Sequence, residues 1–315
     1  MLPQHGRARA DRTIMQAMRY IFCVLLWLCF GPWYGENGQR GLQGLLPHAD
    51  VLLAPQTASS RAPADRPFHW PNGKRVAVSL SFDDARDSQM DVGLPLFDRS
   101  HAKVTFYVNP PNMKNRLDAW KEAAAKGYEI GNHTISHPCT GNYAWVGKNA
   151  LEDYTMAKME HELDEANAET QRLLGVKPAT FAYPCGQKFI GRGTGTQSYV
   201  PLVARKFRVG RGFRDEAANN PMFVDFAQVL SPQSDGMSFE EMKRWVLTAA
   251  QNGGWLVFTG HEIGKPGYQV TDASVLEQFL EYAGDPANGV WLDTVDAIAR
   301  YIQEHRGHAQ SSSGL

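Results

Sequence analysis

From Arg75 onward, apolar runs of strand length alternate with amphipathic stretches of helix length, and no other feature of the chain constrains its fold as tightly. The strand-like runs are "VAVSLSF", "KVTFYV", "YEIGNH", "ATFAYP", "FRVGRGF", "AQVLS", "WLVFTGH" and "GVWLD". Helix patterning falls between several of them, over residues 117–126, 151–174, 239–252 and 275–283. Strands that alternate with helices predict a mostly parallel sheet covered by helices, closed as a barrel or left open. No internal repeat is present.

The chain has 315 residues, 43% of them hydrophobic, enough to bury one large core in one or two domains. Lys plus Arg number 32 against 33 for Asp plus Glu. With that balance and no basic run, nothing offers a surface that would track phosphates, and nucleic acid is not an expected partner. Near the N-terminus, Arg7, Arg9, Arg12 and Arg19 precede an apolar run from Tyr20 to Phe30. That run is short against the roughly 20 residues of a bilayer span. Residues 1–35 therefore read as a secretory signal, with Met15 or Met18 as alternative starts, or as an uncleaved N-terminal anchor. Either puts the rest of the chain outside the cytoplasm: secreted, periplasmic or envelope-anchored. Residues 36–70 are mixed and aperiodic and read as a linker. Residues 71–306 form the expected folded domain, and 307–315 a flexible tail.

In α/β folds, functional residues collect at the C-terminal ends of the strands. Asp83 and Asp84 end the first run, His133 ends "YEIGNH", Tyr183 to Cys185 end "ATFAYP", and His261 ends "WLVFTGH". In "GNHTISHP", His133 and His137 are four apart, a spacing that places both on one face of a helical turn. Two neutral imidazoles and a carboxylate make a three-ligand divalent-metal site with positions left open. Histidines four apart also occur incidentally on surfaces; the "FDD" at a preceding strand end is what favours a metal.

"SFDD", "HTISH", "FAYPCG" and "LVFTGH", in that order, resemble the motifs of the polysaccharide deacetylases, carbohydrate esterase family 4, over about residues 72–305. The resemblance implies a distorted (β/α) barrel of about seven strands. It implies metal-dependent hydrolysis of N- or O-acetyl groups on a polysaccharide or oligosaccharide, with Zn²⁺ or alternatively Co²⁺ as cofactor. Asp83 is then the general base, and Asp84, His133 and His137 are the metal ligands. His261 is the proton donor to the leaving group, and Cys185 supplies a backbone N–H to the oxyanion. A bound cation acidifies water and polarises a carbonyl, and lets Asp83 stay ionised beside Asp84. Other readings are a helix cap for Asp83 and a buried structural role for His261, with Glu262 as an alternative acid.

The sequence departs from the family pattern at "FAYPCG". An Arg and a Tyr commonly flank this proline, the Arg pairing with the base; Ala182 and Cys185 stand there instead. A backbone N–H needs no particular side chain, so Cys185 can still serve the oxyanion. Arg211, Arg214 and Arg192 are candidates to replace the guanidinium, Arg211 being favoured because "VGRGF" ends a strand at the same rim. Cys139 and Cys185 each lie inside a motif and are read as a disulfide in an exported protein; free thiols or a thiolate ligand are the alternatives. Asp225 is a candidate to orient His261. Tyr143, Trp145 and Phe189 read as sugar-stacking residues or as packing residues. No GxSxG elbow occurs, and "HELDE" lacks the second histidine of a zinc peptidase motif. Two other functions share these residues: hydrolysis of a non-sugar amide at the same metal, and a catalytically weakened carbohydrate-binding module.

Overall fold

Every residue of the first strand, β1 (Val76–Asp83), is buried, as a strand covered on both faces requires. The structure, a computed structural model, describes residues 68–311. The leader and most of the linker lie outside the described residues. After β1 come α1 (Leu94–Arg99), β2 (Thr105–Val108), α2 (Leu117–Ala125), β3 (Glu129–Asn132), α3 (Met156–Leu174) and β4 (Thr180–Ala182). A short pair, β5 (Phe189–Ile190) and β6 (Gln197–Ser198), precedes α4 (Val200–Lys206) and β7 (Val209–Arg211). The chain continues through α5 (Phe239–Ala250), β8 (Trp255–Gly260), β9 (Glu262–Gly264), β10 (Val270–Asp272), α6 (Ala273–Gly284), β11 (Val290–Leu292) and α7 (Val295–Ser311). Among the described residues no helix is long and apolar enough to cross a membrane.

The main sheet is parallel throughout. One edge of β1 pairs with β8 over Ala77 to Phe82; the other takes β11 at Val76 to Val78 and β2 at Ser81 to Asp83. From β2 the sheet runs to β3, β4 and β7. Between β7 and β8 lies the extended segment 229–234, joined in parallel to both: Val229 pairs with Arg211, and Gln233 with Thr259. That segment brings the ring to seven members, matching the predicted distorted barrel. It makes bridges rather than a full ladder because Pro232 has no N–H to donate; its carbonyl accepts from Thr259 instead.

Strand alternation sorts side chains into two sets. Val76, Val78, Leu80 and Phe82 face outward into a core built with α1, α2, α5 and α6. Ala77, Ser79, Ser81 and Asp83 face the barrel interior, where Ser79 accepts from Trp255 Nε1 at 3.1 Å. Tyr107 fills much of this interior because Gly131 stands opposite: a Cβ there would meet the Tyr107 ring at 2.4 Å. At the base, half-buried Glu129 on β3 accepts from Thr105 Oγ1, Thr180 Oγ1 and the Asp296 N–H at the start of α7.

The helix patterns at 117–126, 239–252 and 275–283 correspond to α2, α5 and α6. The one at 151–174 divides, with a 3₁₀ turn at Leu151–Asp153 before α3, where Thr155 caps the helix by accepting from Lys158 N–H. α1 and α4 escape pattern reading because six or seven residues give less than two turns of periodicity. α7 carries an apolar stripe, Val295, Ile298, Ala299 and Ile302, that packs with Phe68 and Trp70. The packed domain thus begins by Phe68, inside the stretch read as linker. α7 runs to Ser311, into the stretch read as a tail.

Candidate active site

The inward alternation ends at the C-terminal rim with Asp83 on β1, His133 just after β3, Arg211 on β7 and His261 just after β8. Alternation alone would send Asp84 to the opposite face from Asp83. Asp84 and Ala85 instead take left-handed φ values of 75° and 52°, turning the chain back so that both carboxylates reach one site. Thr134, His137 and Cys185 are also left-handed, so backbone strain gathers at this rim.

Asp84 Oδ1 lies 3.5 Å from His133 Nε2 and 3.4 Å from His137 Nε2. The three donor atoms lie within 4.8 Å of one another. His133 Nδ1 is 2.9 Å from the Ala182 carbonyl, so Nδ1 carries the proton and Nε2 turns its lone pair to the cluster. Burial, then the neighbouring His133, pushes His137 down to about 4, which keeps its imidazole neutral and able to ligate. Burial works to raise Asp84, but the adjoining imidazoles of His133, His137 and His261 outweigh it and hold the carboxyl well below its usual range. One carboxylate and two neutral imidazoles with converging lone pairs fit a divalent cation. A second cluster, His137 with Cys139 and Cys185, is not a thiolate site because the two sulfurs are bonded to each other.

The "HTISH" segment is not the helical turn its spacing suggested. It is an irregular loop, and hydrogen bonding rather than helical geometry brings the two histidines together. Asn109 Nδ2 donates to the carbonyls of His133 and Thr134, at 2.5 and 3.0 Å. Glu162, buried on α3, accepts from the N–H groups of Ile135 and Ser136 at 3.2 and 3.0 Å. It also accepts from Ser136 Oγ at 2.6 Å and Tyr154 OH at 3.0 Å. Sequence reading passed over Glu162 except as part of "HELDE"; a lone acid in a helix carries no signal until its partners are in view.

Arg211 is fully buried and donates through Nη2 to Asp83 Oδ1, with its guanidinium 4.8 Å over the Tyr107 ring. It occupies the role left vacant at Ala182. Arg214 reaches Gln233 instead, and Arg192 pairs with Asp153 on the surface. His261 Nδ1 is 2.6 Å from Asp235 Oδ2, and the His261 N–H donates to Asp235 Oδ1 at 3.0 Å. Asp225 therefore does not orient His261; it caps a 3₁₀ turn, accepting from the Ala227 N–H. Burial lowers the His261 imidazole, but the Asp235 hydrogen bond and the charge of Asp83 outweigh it and raise the group above its ordinary value. Asp235 lies 26 positions from His261, in a loop whose approach depends on the bridging segment. Its only sequence signal was an acid-glycine turn after a strand candidate. Gln89, also unforeseen, donates to the carbonyls of Asp83 and His261 at 2.6 and 2.9 Å and so ties the two strand ends together.

Cys139 and Cys185 form a disulfide. In the turn after Pro184 the hydrogen bonds run from Gly186 N–H to Tyr183 O and from Gln187 N–H to Pro184 O, leaving the Cys185 N–H outside the turn's own bonding. Asp83, Asp84, His133, His137, Cys185 and His261 all line one open cleft of about 620 Å³. Trp145 and Tyr268 border it; Phe189 lines a separate concavity with Glu152 and Gln187.

Residues 71–192 match the family model for polysaccharide deacetylase. The described fold is similar to that of a putative polysaccharide deacetylase from Mycobacterium smegmatis, at 17% identity and TM-score 0.55, over 76% of this chain and 93% of that one. It is also similar to a probable polysaccharide deacetylase from Pseudomonas aeruginosa PAO1, at 16% identity and TM-score 0.56, over 78% and 97%. In sequence, the chain is 30% identical over 93 residues to the uncharacterized protein YlxY of Bacillus subtilis (strain 168), covering 30% of this chain. It spans 26% and 10% of the lengths of the two curated relatives it matches. The matched region holds Asp83, Asp84, both histidines of the cluster and both cysteines, while Arg211, Asp235 and His261 follow it. With the family match over residues 71–192, a parallel barrel of the same fold and the four motifs in order, this chain is similar to the polysaccharide deacetylases.

Proposed function

We propose that the chain is a metal-dependent carbohydrate deacetylase, hydrolysing N- or O-acetyl groups on an acetylated polysaccharide or oligosaccharide. One observation carries the reading: Asp83 sits between the Asp84, His133 and His137 cluster and the Arg211 guanidinium, with His261 on the same cleft. Those three donors would hold a divalent cation, Zn²⁺ or Co²⁺, which when bound supplies Lewis acidity and an acidified water.

Asp83 takes the proton of the attacking water as general base, its carboxylate aimed by Arg211. The Cys185 N–H donates to the oxygen on which negative charge develops, from a turn fixed by the disulfide. His261, oriented through Nδ1 by Asp235, donates a proton to the leaving amine or alcohol, so that acetate and the free sugar group depart. Arg211 supplies the guanidinium whose absence from "FAYPCG" had favoured a weakened binding module. The disulfide supports an oxidising compartment, as the leader suggests.

Acetate release from a panel of acetylated oligosaccharides tests the proposal. A chelator should abolish release, and Zn²⁺ or Co²⁺ should restore it. Asp84→Ala should lose metal, whereas Asp83→Asn should keep metal and lose turnover by about a hundredfold or more. Full activity in metal-free protein, or equal metal binding and turnover by the two variants, overturns it.

A further inference from the structure

Each ring nitrogen of His137 faces a different set of metal-ligating atoms, and the deacetylation chemistry uses only one set. Nε2 lies 3.4 Å from Asp84 Oδ1. Nδ1 has one partner among the described residues, Cys139 Sγ at 3.7 Å. His133 differs, because its Nδ1 meets the Ala182 carbonyl, a stronger acceptor than a disulfide sulfur. A ring nitrogen of His137 and the sulfurs of Cys139 and Cys185 all lie within 4.8 Å of one another. Two sulfurs and an imidazole are the donors that a thiophilic cation such as Zn²⁺ prefers.

In the oxidised chain the sulfurs are committed to each other, so this set becomes available only when the bridge opens. Bonds independent of the bridge hold its two ends in place. Thr140 N–H donates to Gln187 Oε1 at 2.7 Å and ties the two loops directly. Leu151 N–H donates to the Cys139 carbonyl at 2.9 Å, and Gly186 N–H to the Tyr183 carbonyl at 2.8 Å. Cys139 is buried with Val146 and Ala150, whereas Cys185 is half-buried and lines the open cleft. A reductant arriving from solvent therefore meets Cys185 first.

We propose that Cys139, Cys185 and His137 Nδ1 form a second, redox-gated metal site that takes Zn²⁺ or another thiophilic cation in the reduced chain. A dithiol opens it. One dithiol sulfur attacks Cys185 Sγ and releases Cys139 as a thiol; the other then displaces Cys185, so the dithiol leaves as a disulfide and the protein gains two thiols. A divalent cation replaces the two thiol protons, which pass to solvent. A neutral imidazole has a single free lone pair, so His137 ligating through Nδ1 carries its proton on Nε2 and is withdrawn from Asp84 and His133. The two metal sites thus compete for His137. This site goes beyond the deacetylase reading and does not depend on it.

The test titrates Co²⁺ into the full chain before and after treatment with dithiothreitol, which is then removed anaerobically. The oxidised chain should bind Co²⁺ with no sulfur-to-cobalt charge-transfer band, and the reduced chain should gain that band. The double Cys139→Ser, Cys185→Ser variant should lose it. Asp84→Ala should keep it, and His137→Ala should weaken Co²⁺ binding at the sulfurs about tenfold or more. No band in the reduced chain, or a band as tightly formed in His137→Ala as in wild type, overturns the proposal. Loss of the native near-ultraviolet circular dichroism on reduction also overturns it, since the site requires the folded loops. Acetate release by the oxidised chain is measured separately. A sulfur band with no acetate release would sustain this site and defeat the deacetylase reading, and acetate release with no band would do the reverse.

Discussion

Glu162 offers the sharpest test of how the candidate site is held together. It accepts four hydrogen bonds, two from backbone N–H groups in the loop between His133 and His137 and two from the hydroxyls of Ser136 and Tyr154. In Glu162→Ala the hydroxyls can bond each other, since Ser136 Oγ and Tyr154 OH already lie 3.1 Å apart. The Ile135 and Ser136 N–H groups have no such recourse. At about 1–3 kcal/mol for each fully buried donor left unsatisfied, and about half that for these part-buried groups, the variant should lose about 1–3 kcal/mol of stability. Glu162→Gln keeps one carbonyl oxygen for the two N–H groups and turns an amide toward oxygens that can accept, so it should lose only about 1 kcal/mol. Because the loop carries two of the three candidate ligands, Glu162→Ala should also weaken metal binding about 10- to 100-fold. Urea unfolding of the metal-free proteins and competition with a chromophoric chelator measure the two effects. If Glu162→Ala stayed within about 0.5 kcal/mol of wild type with unchanged metal affinity, Glu162 would not be the anchor of the loop. A Gln variant as damaged as the Ala variant would refute the hydrogen-bond count behind the estimate.

The Cys139–Cys185 bridge closes a loop of sequence separation 46, for which chain entropy contributes about 3–4 kcal/mol. The double Cys→Ser variant should therefore melt about 6–16 °C lower and turn over more slowly; two freely alkylated thiols in the non-reduced mature protein would refute the bridge. His261 is raised above its ordinary value. Its contribution to stability is complete below the unfolded-state value and is lost as pH rises through the folded one, and the acid form needed for catalysis persists over the same range. Asp235→Asn should therefore move the alkaline limb of the kcat/KM profile to lower pH, and a profile that does not move would remove Asp235 from His261's protonation.

The α/β architecture was legible because its cause is local. Two-sided burial makes parallel strands read as continuous apolar runs, and amphipathic helices between them leave a 3.6-residue period. The polar residues at strand ends were legible for a related reason: once strands are identified, alternation and direction determine which residues reach the rim. Asp83, His133, His261 and Arg211 could be nominated on that basis. Only the tertiary structure decided which partners they meet. Arg211 pairs with a residue 128 positions away, Asp235 rather than Asp225 faces His261, and Glu162 reaches a loop 26 and 27 positions earlier. Each of these contacts depends on barrel closure through the segment 229–234 or on the packing of α3 against the barrel. The reversal at Asp84 was equally invisible, because a left-handed φ at a non-glycine residue costs energy locally and persists only where the surrounding fold holds it. Periodicity is written residue by residue along the chain, whereas the pairing of buried charges is a property of the closed barrel.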